Sequence, residues 1–182
     1  MPNQPPHSNE YCPHHGRYVS LVTTPVLTAL RDQRSTFDEL PRAIADVDAG
    51  YRYASGKWSI REVVGHISDA ERIFQFRALA FARGDTAPLP RYEPDAYVEI
   101  SGFDHRTLQS IVDELLSVRE STLHFFENLD ASAWDRKGTV SGGFVSVRAL
   151  GYITAGHAQQ HLNVLHERYG VGEPASAAVS VA

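Results

Sequence analysis

The chain has 182 residues, enough for one domain with a sizeable core, and its hydrophobic and charged fractions of 42% and 21% are ordinary for a globular protein. A net charge of −5 argues against a nucleic-acid backbone or an anionic membrane as the main partner, because both attract basic surfaces. The one cysteine, Cys12, excludes an intramolecular disulfide, and no apolar stretch approaches the length of a membrane-spanning helix. Since no basic and apolar segments typical of a signal peptide are found, the sequence predicts a cytoplasmic protein.

Both ends of the chain are predicted to be mobile tails. Residues 1–18 are rich in proline, asparagine and histidine and show no apolar period, and residues 171–182 are small. Residues 19–170 between them are predicted to form one domain.

The N-terminal tail contains Cys12, His14 and His15, which are residue types that bind metals. Pro13 interrupts their spacing, and no second group of thiols follows. The pattern therefore favours a tail without a metal site, and nothing nearby would position Cys12 as a nucleophile.

Four long helices are predicted from apolar spacing and capping residues. The first covers Thr24 to about Leu40, the second starts at the Ser59 capping box and runs to about Arg83, the third covers Asp104 to Asn128, and the fourth covers Ser146 to Tyr169. The connector Gly84–Phe103 is long enough to run the length of a helix, so it can be a crossover. No run has the two-residue period of a strand, and Gly138–Phe144 is predicted to be a glycine-rich loop. The fold class that follows is an all-α four-helix bundle.

The fourth predicted helix carries the clearest chemical signal, because His157 and His161 are four residues apart and share one helix face. That face also carries the apolar residues of the helix, which are Leu150, Ile153, Val164 and Leu165. Two imidazoles that point into a core need hydrogen-bond partners or a metal ion. The spacing leaves these two alternatives open.

Two polar residues on the second predicted helix bear on this choice. His66 lies on the shoulder of the apolar face, and it can reach the level of His157 and His161 if the second and fourth helices run antiparallel. Glu71 lies near the middle of the same apolar face, so its carboxylate needs a partner. An ion pair with an arginine of another helix is the favoured explanation, and contact with a metal-bound histidine is the alternative.

At these residues the sequence resembles the DinB-like, or YfiT-like, superfamily of metal-binding four-helix bundles. The resemblance rests on GKWSIREVVGH at 56–66, DAER at 69–72, and SVRAL at 146–150 followed by GHxxxH at 156–161. It spans about Leu21 to Tyr169, and the motifs are fairly specific when they occur in this order.

The resemblance implies a bundle with a crossover between its second and third helices. It also implies a divalent metal ion, zinc or nickel, held by the positions that match His66, His157 and His161, and it implies that the protein forms a homodimer. Relatives include thiol-dependent S-transferases and isomerases. Three protein ligands leave coordination positions open, where a thiol or a water molecule can be activated.

Three functional hypotheses follow: a metal-dependent thiol S-transferase, a metal-dependent hydrolase, and a non-catalytic helical dimer. The hydrolase needs a general base, for which Glu71 is the candidate. A thiol substrate that carries a carboxylate can be bound by Arg72, Arg77 or Arg148, although a solvated or ion-paired arginine is favoured for each.

Overall fold

The computed structural model describes residues 4–171, which contain six α-helices and one two-stranded sheet. The elements are α1 Gly16–Val19, α2 Val26–Ala43, α3 Ile60–Ala82, α4 Pro94–Ser101, α5 Leu108–Glu127, β1 Lys137–Val140, β2 Gly143–Ser146 and α6 Val147–Tyr169. Short 3₁₀ turns occur at Ser8–Glu10, Pro13–His15, Asp48–Gly50, Phe103–His105 and Ala131–Asp135. The four long helices α2, α3, α5 and α6 form the bundle, so the predicted all-α fold is confirmed. Among the described residues, no helix is both long and apolar enough to span a membrane.

The predicted helix signals that define α3 and α6 are confirmed. The Ser59 hydroxyl accepts a hydrogen bond from the Glu62 amide, and the Glu62 carboxylate accepts one from the Ser59 amide. The Ser146 hydroxyl caps α6 by accepting from the Ala149 amide. Gly170 ends α6 in the left-handed region, with φ of 68°. Local chemistry thus determines where the two site-bearing helices begin and where α6 ends.

The start of α5 lies three residues later than predicted. Thr107, and not Asp104, caps this helix by accepting from the Ser110 amide at 3.2 Å. Asp104 instead accepts a hydrogen bond from the Ser59 hydroxyl at 2.5 Å. This carboxylate therefore ties the end of the crossover to the start of α3.

Cross-helix side-chain pairs show how the helices run. Arg31 pairs with Glu127 and Arg34 with Glu120, so α2 and α5 are antiparallel. Gln75 on α3 donates to Ser121 on α5, while Arg72, about one turn earlier on α3, pairs with Glu114, about two turns earlier on α5. Because both partners move in the same direction along the chain, α3 and α5 are parallel. The connector that contains α4 is therefore a crossover, as predicted.

The apolar core is divided into two clusters along the bundle. On α6, residues up to Ala155 belong to one cluster and Ala158 and Leu165 belong to the other. On α3, the division falls between Ile67 and Ala70. Buried polar residues occupy the level between the two clusters, and the candidate site is found there.

The prediction that the chain lacks strands is wrong at residues 137–146. The strands β1 and β2 pair antiparallel, with Lys137 opposite Ser146 and Val140 opposite Gly143. Ser141 and Gly142 connect them with φ of 51° and 80°, which suits a two-residue hairpin turn. Each strand has four residues and two glycines fall within the hairpin's strands, so the two-residue period was too short to detect.

The N-terminal segment differs from the predicted mobile tail. Residues 4–18 contain short helical turns, and Glu10 is buried, where it accepts hydrogen bonds from Ser146 at 2.7 Å and Arg148 at 3.0 Å. A polar segment can dock through ion pairs and backbone contacts that leave no apolar period in its sequence. The predicted C-terminal tail lies, from residue 172 onward, outside the described residues.

Candidate metal centre

Three histidines from two helices converge in the bundle interior. His66 lies on the second turn of α3, and His157 and His161 lie on successive turns of α6. One ring nitrogen from each lies within 4.8 Å of the others, and Nε2 of His66 is 3.1 Å from Nε2 of His157. In residues 4–171 no other group of three or more histidine, cysteine or acidic side chains has this geometry. These three residues are called the histidine cluster below.

The antiparallel packing of α3 and α6 brings the histidine cluster together. Tyr169, the last residue of α6, donates its hydroxyl to the carbonyl of Trp58, which precedes α3, at 2.7 Å. Further along, Phe74 of α3 contacts His157 of α6 with ring centroids 5.5 Å apart. The antiparallel arrangement of α3 and α6, which the three histidines need in order to lie at the same level, is therefore present.

The geometry and protonation of the histidine cluster suit a divalent metal ion. Two nitrogens at about 2.0–2.1 Å from a tetrahedral zinc ion lie about 3.3 Å apart, close to the observed separation of His66 and His157. Burial lowers the pKa of His66 to about 3 and that of His161 to about 4, and it lowers the pKa of His157 well below its ordinary value. Neutral imidazoles offer the nitrogen lone pairs that a metal needs.

Aromatic side chains surround the histidine cluster. The Trp58 ring lies 4.7 Å from His66 and stacks at 6.4 Å on His161, between centroids. The Tyr18 ring meets His157 edge-on at 5.5 Å. Trp58 precedes α3, so the start of this helix places an aromatic ring against two of the three imidazoles. Rings at these positions restrict water and strengthen electrostatic interactions inside the site.

Glu71 forms the ion pair that the sequence favoured. Both of its carboxylate oxygens accept from Arg119 of α5, at 2.7 to 3.1 Å, and the two side chains are almost fully buried. Arg119 also donates to the Leu30 carbonyl and to Gln33, each at 3.0 Å. Glu71, Arg119 and Gln33 are called the arginine cluster below. Since Arg119 engages both oxygens, Glu71 is a structural residue and not a free general base.

The three arginines predicted as carboxylate-binding candidates are all engaged elsewhere. Arg72 pairs with Glu114 at 2.7 Å, and Arg148 pairs with Glu10 at 3.0 Å. Arg77 is buried and donates to a backbone carbonyl of the crossover at 2.8 Å. The ion-paired role that the sequence favoured is observed for Arg72 and Arg148.

The metal-binding residue types of the N-terminal segment do not join the histidine cluster. His14 and His15 contact each other, with ring centroids 4.0 Å apart. The Cys12 thiol lies 3.7 Å from the Phe144 carbonyl of the hairpin. Within the described residues these three are not among the side chains grouped closely enough to hold a metal ion.

Sequence reasoning missed Arg17 and Tyr18. The Arg17 guanidinium donates to the Tyr18 hydroxyl at 2.8 Å and stacks 4.6 Å from the centre of the Tyr18 ring. After burial, the positive charge of Arg17 is a further cause of the lowered pKa of His161, so the guanidinium is close to the cluster. No sequence signal pointed to these residues, because residues 1–18 have no helical period.

Three solved structures share this fold. YfiT from Bacillus subtilis, described as a probable metal-dependent hydrolase with an unusual four-helix bundle topology, is 16% identical with a TM-score of 0.70, over 80% of this chain and 86% of that chain. A mycothiol-dependent maleylpyruvate isomerase is 13% identical with a TM-score of 0.64, over 85% of this chain and 63% of that chain. A DinB-like protein of Bacillus subtilis, YjoA, is 21% identical with a TM-score of 0.55, over 77% and 85%. At these identities the likeness establishes the fold and not an activity.

The sequence gives the family directly. No curated protein matches the chain. The family model of the DinB superfamily matches residues 29–165. This range includes all three histidines and the four long helices, apart from the first residues of α2 and the last residues of α6. The chain belongs to the DinB superfamily.

Proposed function

We propose that the histidine cluster binds one divalent metal ion, zinc or nickel, and that this centre activates a small-molecule thiol for transfer to an electrophilic substrate. One observation carries the proposal. Three imidazoles, each with a pKa lowered by burial, point one nitrogen into a space where these atoms lie within 4.8 Å of one another. The set contains no carboxylate and no thiolate, so the ligands leave the full positive charge of a bound ion uncompensated.

That charge determines the chemistry that the centre can support. When bound, the metal ion supplies a Lewis acid that lowers the pKa of a coordinated thiol and leaves a nucleophile at neutral pH. In the transfer, the thiol proton would pass to solvent water, the sulfur would form a bond to the electrophilic carbon, and the leaving group would depart with the electron pair of the broken bond. The chain contributes three neutral ligands, and Trp58 and Tyr18 shield them with aromatic rings.

The thiol has to come from a small molecule. Cys12 is the one cysteine of the chain, and it contacts the hairpin instead of the histidine cluster. The structural neighbour described as a mycothiol-dependent isomerase supports this part of the proposal.

Hydrolysis by the same centre is the second candidate, favoured by the description of YfiT as a probable metal-dependent hydrolase. With Glu71 held by Arg119, the carboxylate nearest to a ligand along α3 is Asp69, three residues after His66. Asp69 is half-buried, and burial raises its pKa, which suits a general base.

Metal content and activity distinguish these candidates. Elemental analysis of the wild-type protein is expected to give near one divalent ion per chain, and a His66→Gln, His157→Gln, His161→Gln variant is expected to give none. The loaded protein is then assayed for conjugation of a thiol to 1-chloro-2,4-dinitrobenzene, and for cleavage of p-nitrophenyl acetate without thiol.

Conjugation that needs the metal, and that chelation or the triple variant abolishes, supports the transferase. Cleavage without thiol that Asp69→Asn removes supports the hydrolase instead. Metal binding that changes stability while neither reaction occurs would support the non-catalytic alternative. If neither protein takes up zinc or nickel, the proposal is overturned.

A further inference from the structure

The N-terminal segment is built into the side of the histidine cluster. The Tyr18 carbonyl packs directly on Gly156, the residue before His157, and a Cβ at this position would lie 2.0 Å from the carbonyl oxygen. Only glycine leaves room for a backbone that approaches this closely. Residue 156 is therefore matched to the docked segment, and Arg17 and Tyr18 belong to the same site as the candidate ligands.

Arg17 is a positioned cation without a carboxylate partner. Its guanidinium is exposed, and in residues 4–171 it forms no ion pair with an acidic side chain. One of its five N–H groups donates to the Tyr18 hydroxyl, and the guanidinium carbon lies over the Tyr18 ring, 4.6 Å from its centroid. Because the same ring meets His157 edge-on, the free N–H groups of Arg17 are held beside the histidine cluster.

The acidic side chains near the cluster do not neutralise this charge. Glu71 is engaged by Arg119, and Asp69 lies 3.5 Å from Arg72. With a divalent ion on the three neutral imidazoles, the region therefore carries the charge of the ion and that of Arg17. A ligand that brings a second negative group besides its thiolate complements this charge, and a guanidinium fork matches a carboxylate in shape.

We propose that Arg17 and Tyr18 bind the carboxylate of the substrate thiol, so that the preferred thiols are mercaptocarboxylates whose sulfur reaches the metal while the acid group pairs with Arg17. The proposal rests on the proposed function, because it assumes that a thiol coordinates at the histidine cluster. It adds the substrate class, and it assigns a binding role to a segment that the sequence predicted to be a tail.

Thiol binding to the cobalt(II)-substituted protein tests the proposal without an activity assay. The probes are ω-mercaptocarboxylates with one to five methylene groups, each compared with its neutral primary amide. Coordination of the sulfur is followed by the thiolate-to-cobalt charge-transfer absorption, and titrations give Kd. In the wild-type protein, at least one acid is expected to bind about tenfold or more tightly than its amide, which is the size of a charge-assisted hydrogen bond.

Two substitutions locate the preference. Arg17→Ala is expected to reduce it to less than about twofold, whereas Arg168→Ala, which removes the same charge from an exposed position at the end of α6, is expected to preserve it. Tyr18→Phe, which keeps the ring and removes the hydroxyl, is expected to reduce the preference for the acid over its amide by less than Arg17→Ala does. Cobalt content and thermal unfolding of each variant check that the site and the fold are intact.

The outcomes separate this inference from the proposed function. If acids and amides bind equally well, or if Arg17→Ala and Arg168→Ala behave alike, the carboxylate site is overturned while the thiol centre stands. If cobalt binds but no thiol of either kind produces the charge-transfer band, thiol activation fails and the inference fails with it.

Discussion

Two buried polar clusters lie close together in this bundle, and they meet their electrostatic demands in opposite ways. Glu71 of the arginine cluster follows His66 of the histidine cluster by five residues on α3, a rise of about 7.5 Å. In the arginine cluster a carboxylate, a guanidinium and the Gln33 amide satisfy one another. In the histidine cluster three like groups face one another, and no acidic side chain is among them.

The difference shows how a structural cluster is distinguished from a binding site. In the arginine cluster, opposite charges and matched donors and acceptors give every polar group a partner. This pairing adds specificity to the packing of α2, α3 and α5. The three converging ring nitrogens cannot all pair with one another, because a hydrogen bond between His66 and His157 leaves the ring nitrogen of the third imidazole without a partner inside the cluster. Gln33 also donates to the Ala155 carbonyl at 2.8 Å, so the arginine cluster supports α6, the helix that carries His157 and His161.

The largest expected effect is on the arginine cluster. Arg119→Met should lower the free energy of unfolding by about 3–5 kcal/mol, because Glu71 is left buried without a partner. Urea unfolding measures the change. Adding Glu71→Leu to the variant should restore most of the lost stability. A decrease below about 1 kcal/mol for Arg119→Met alone would contradict the explanation that buried Glu71 needs Arg119 as its partner.

The histidine cluster should show the opposite response to added metal. Zinc at a hundred times its Kd should raise the free energy of unfolding of the wild-type protein by about 2.7 kcal/mol, and it should leave His157→Gln unchanged. The Arg119→Met variant is expected to gain nearly the same amount as the wild-type protein. Urea unfolding with zinc and with chelator measures each gain, and an equal gain in His157→Gln would place the metal elsewhere.

Acid should destabilise the metal-free protein through the histidine cluster. Unfolded imidazoles bind protons with a pKa of about 6.5. Burial lowers the folded-state pKa of His66 to about 3 and that of His161 to about 4. The stabilisation is fully present above about pH 6.5 and is lost as the pH falls toward the folded-state values, because the unfolded chain then binds more protons.

The expected decrease in the free energy of unfolding between pH 7 and pH 5 is on the order of 2 kcal/mol for each histidine whose folded-state pKa lies well below 5. Urea unfolding in chelator measures it at both pH values. The triple variant with glutamine at positions 66, 157 and 161 should show a clearly smaller decrease. Parallel pH curves for the two proteins would mean that other groups cause the acid sensitivity.

The smallest expected effect concerns the N-terminal segment, which lies beside the histidine cluster. Gly156→Ala should cost about 1–2 kcal/mol, since the clash with the Tyr18 backbone outweighs the gain of alanine in a helix. Gly151→Ala on the same helix is the matched control, because the nearest atoms to its Cβ would be side-chain atoms of Phe126, at 3.3 Å, and Val26, at 3.6 Å. Urea unfolding should show that Gly156→Ala is less stable than Gly151→Ala. Equal stabilities would argue against tight docking of residues 4–18.

Much of the site was predictable because its signals are local. The four-residue spacing of His157 and His161, together with their apolar face, is written along α6. The position of His66 on the second predicted helix made it the third candidate, the family resemblance supported it, and the structure places it 3.1 Å from His157. Glu71 was predicted to need an arginine partner, but its identity as Arg119 could not be predicted, since the two lie 48 residues apart on different helices.

The sequence by itself determined the four long helices, the caps of α3 and α6, and the faces on which the histidines lie, because capping and periodicity depend on residues within one or two turns. The tertiary structure decided which helices run side by side, so it decided that His66 meets the α6 pair and that Arg119 meets Glu71. It also decided that residues 137–146 form a hairpin and that Arg17 stands beside the site. These contacts join residues far apart in the chain, and their energy depends on the packing of the whole bundle, which no local pattern records.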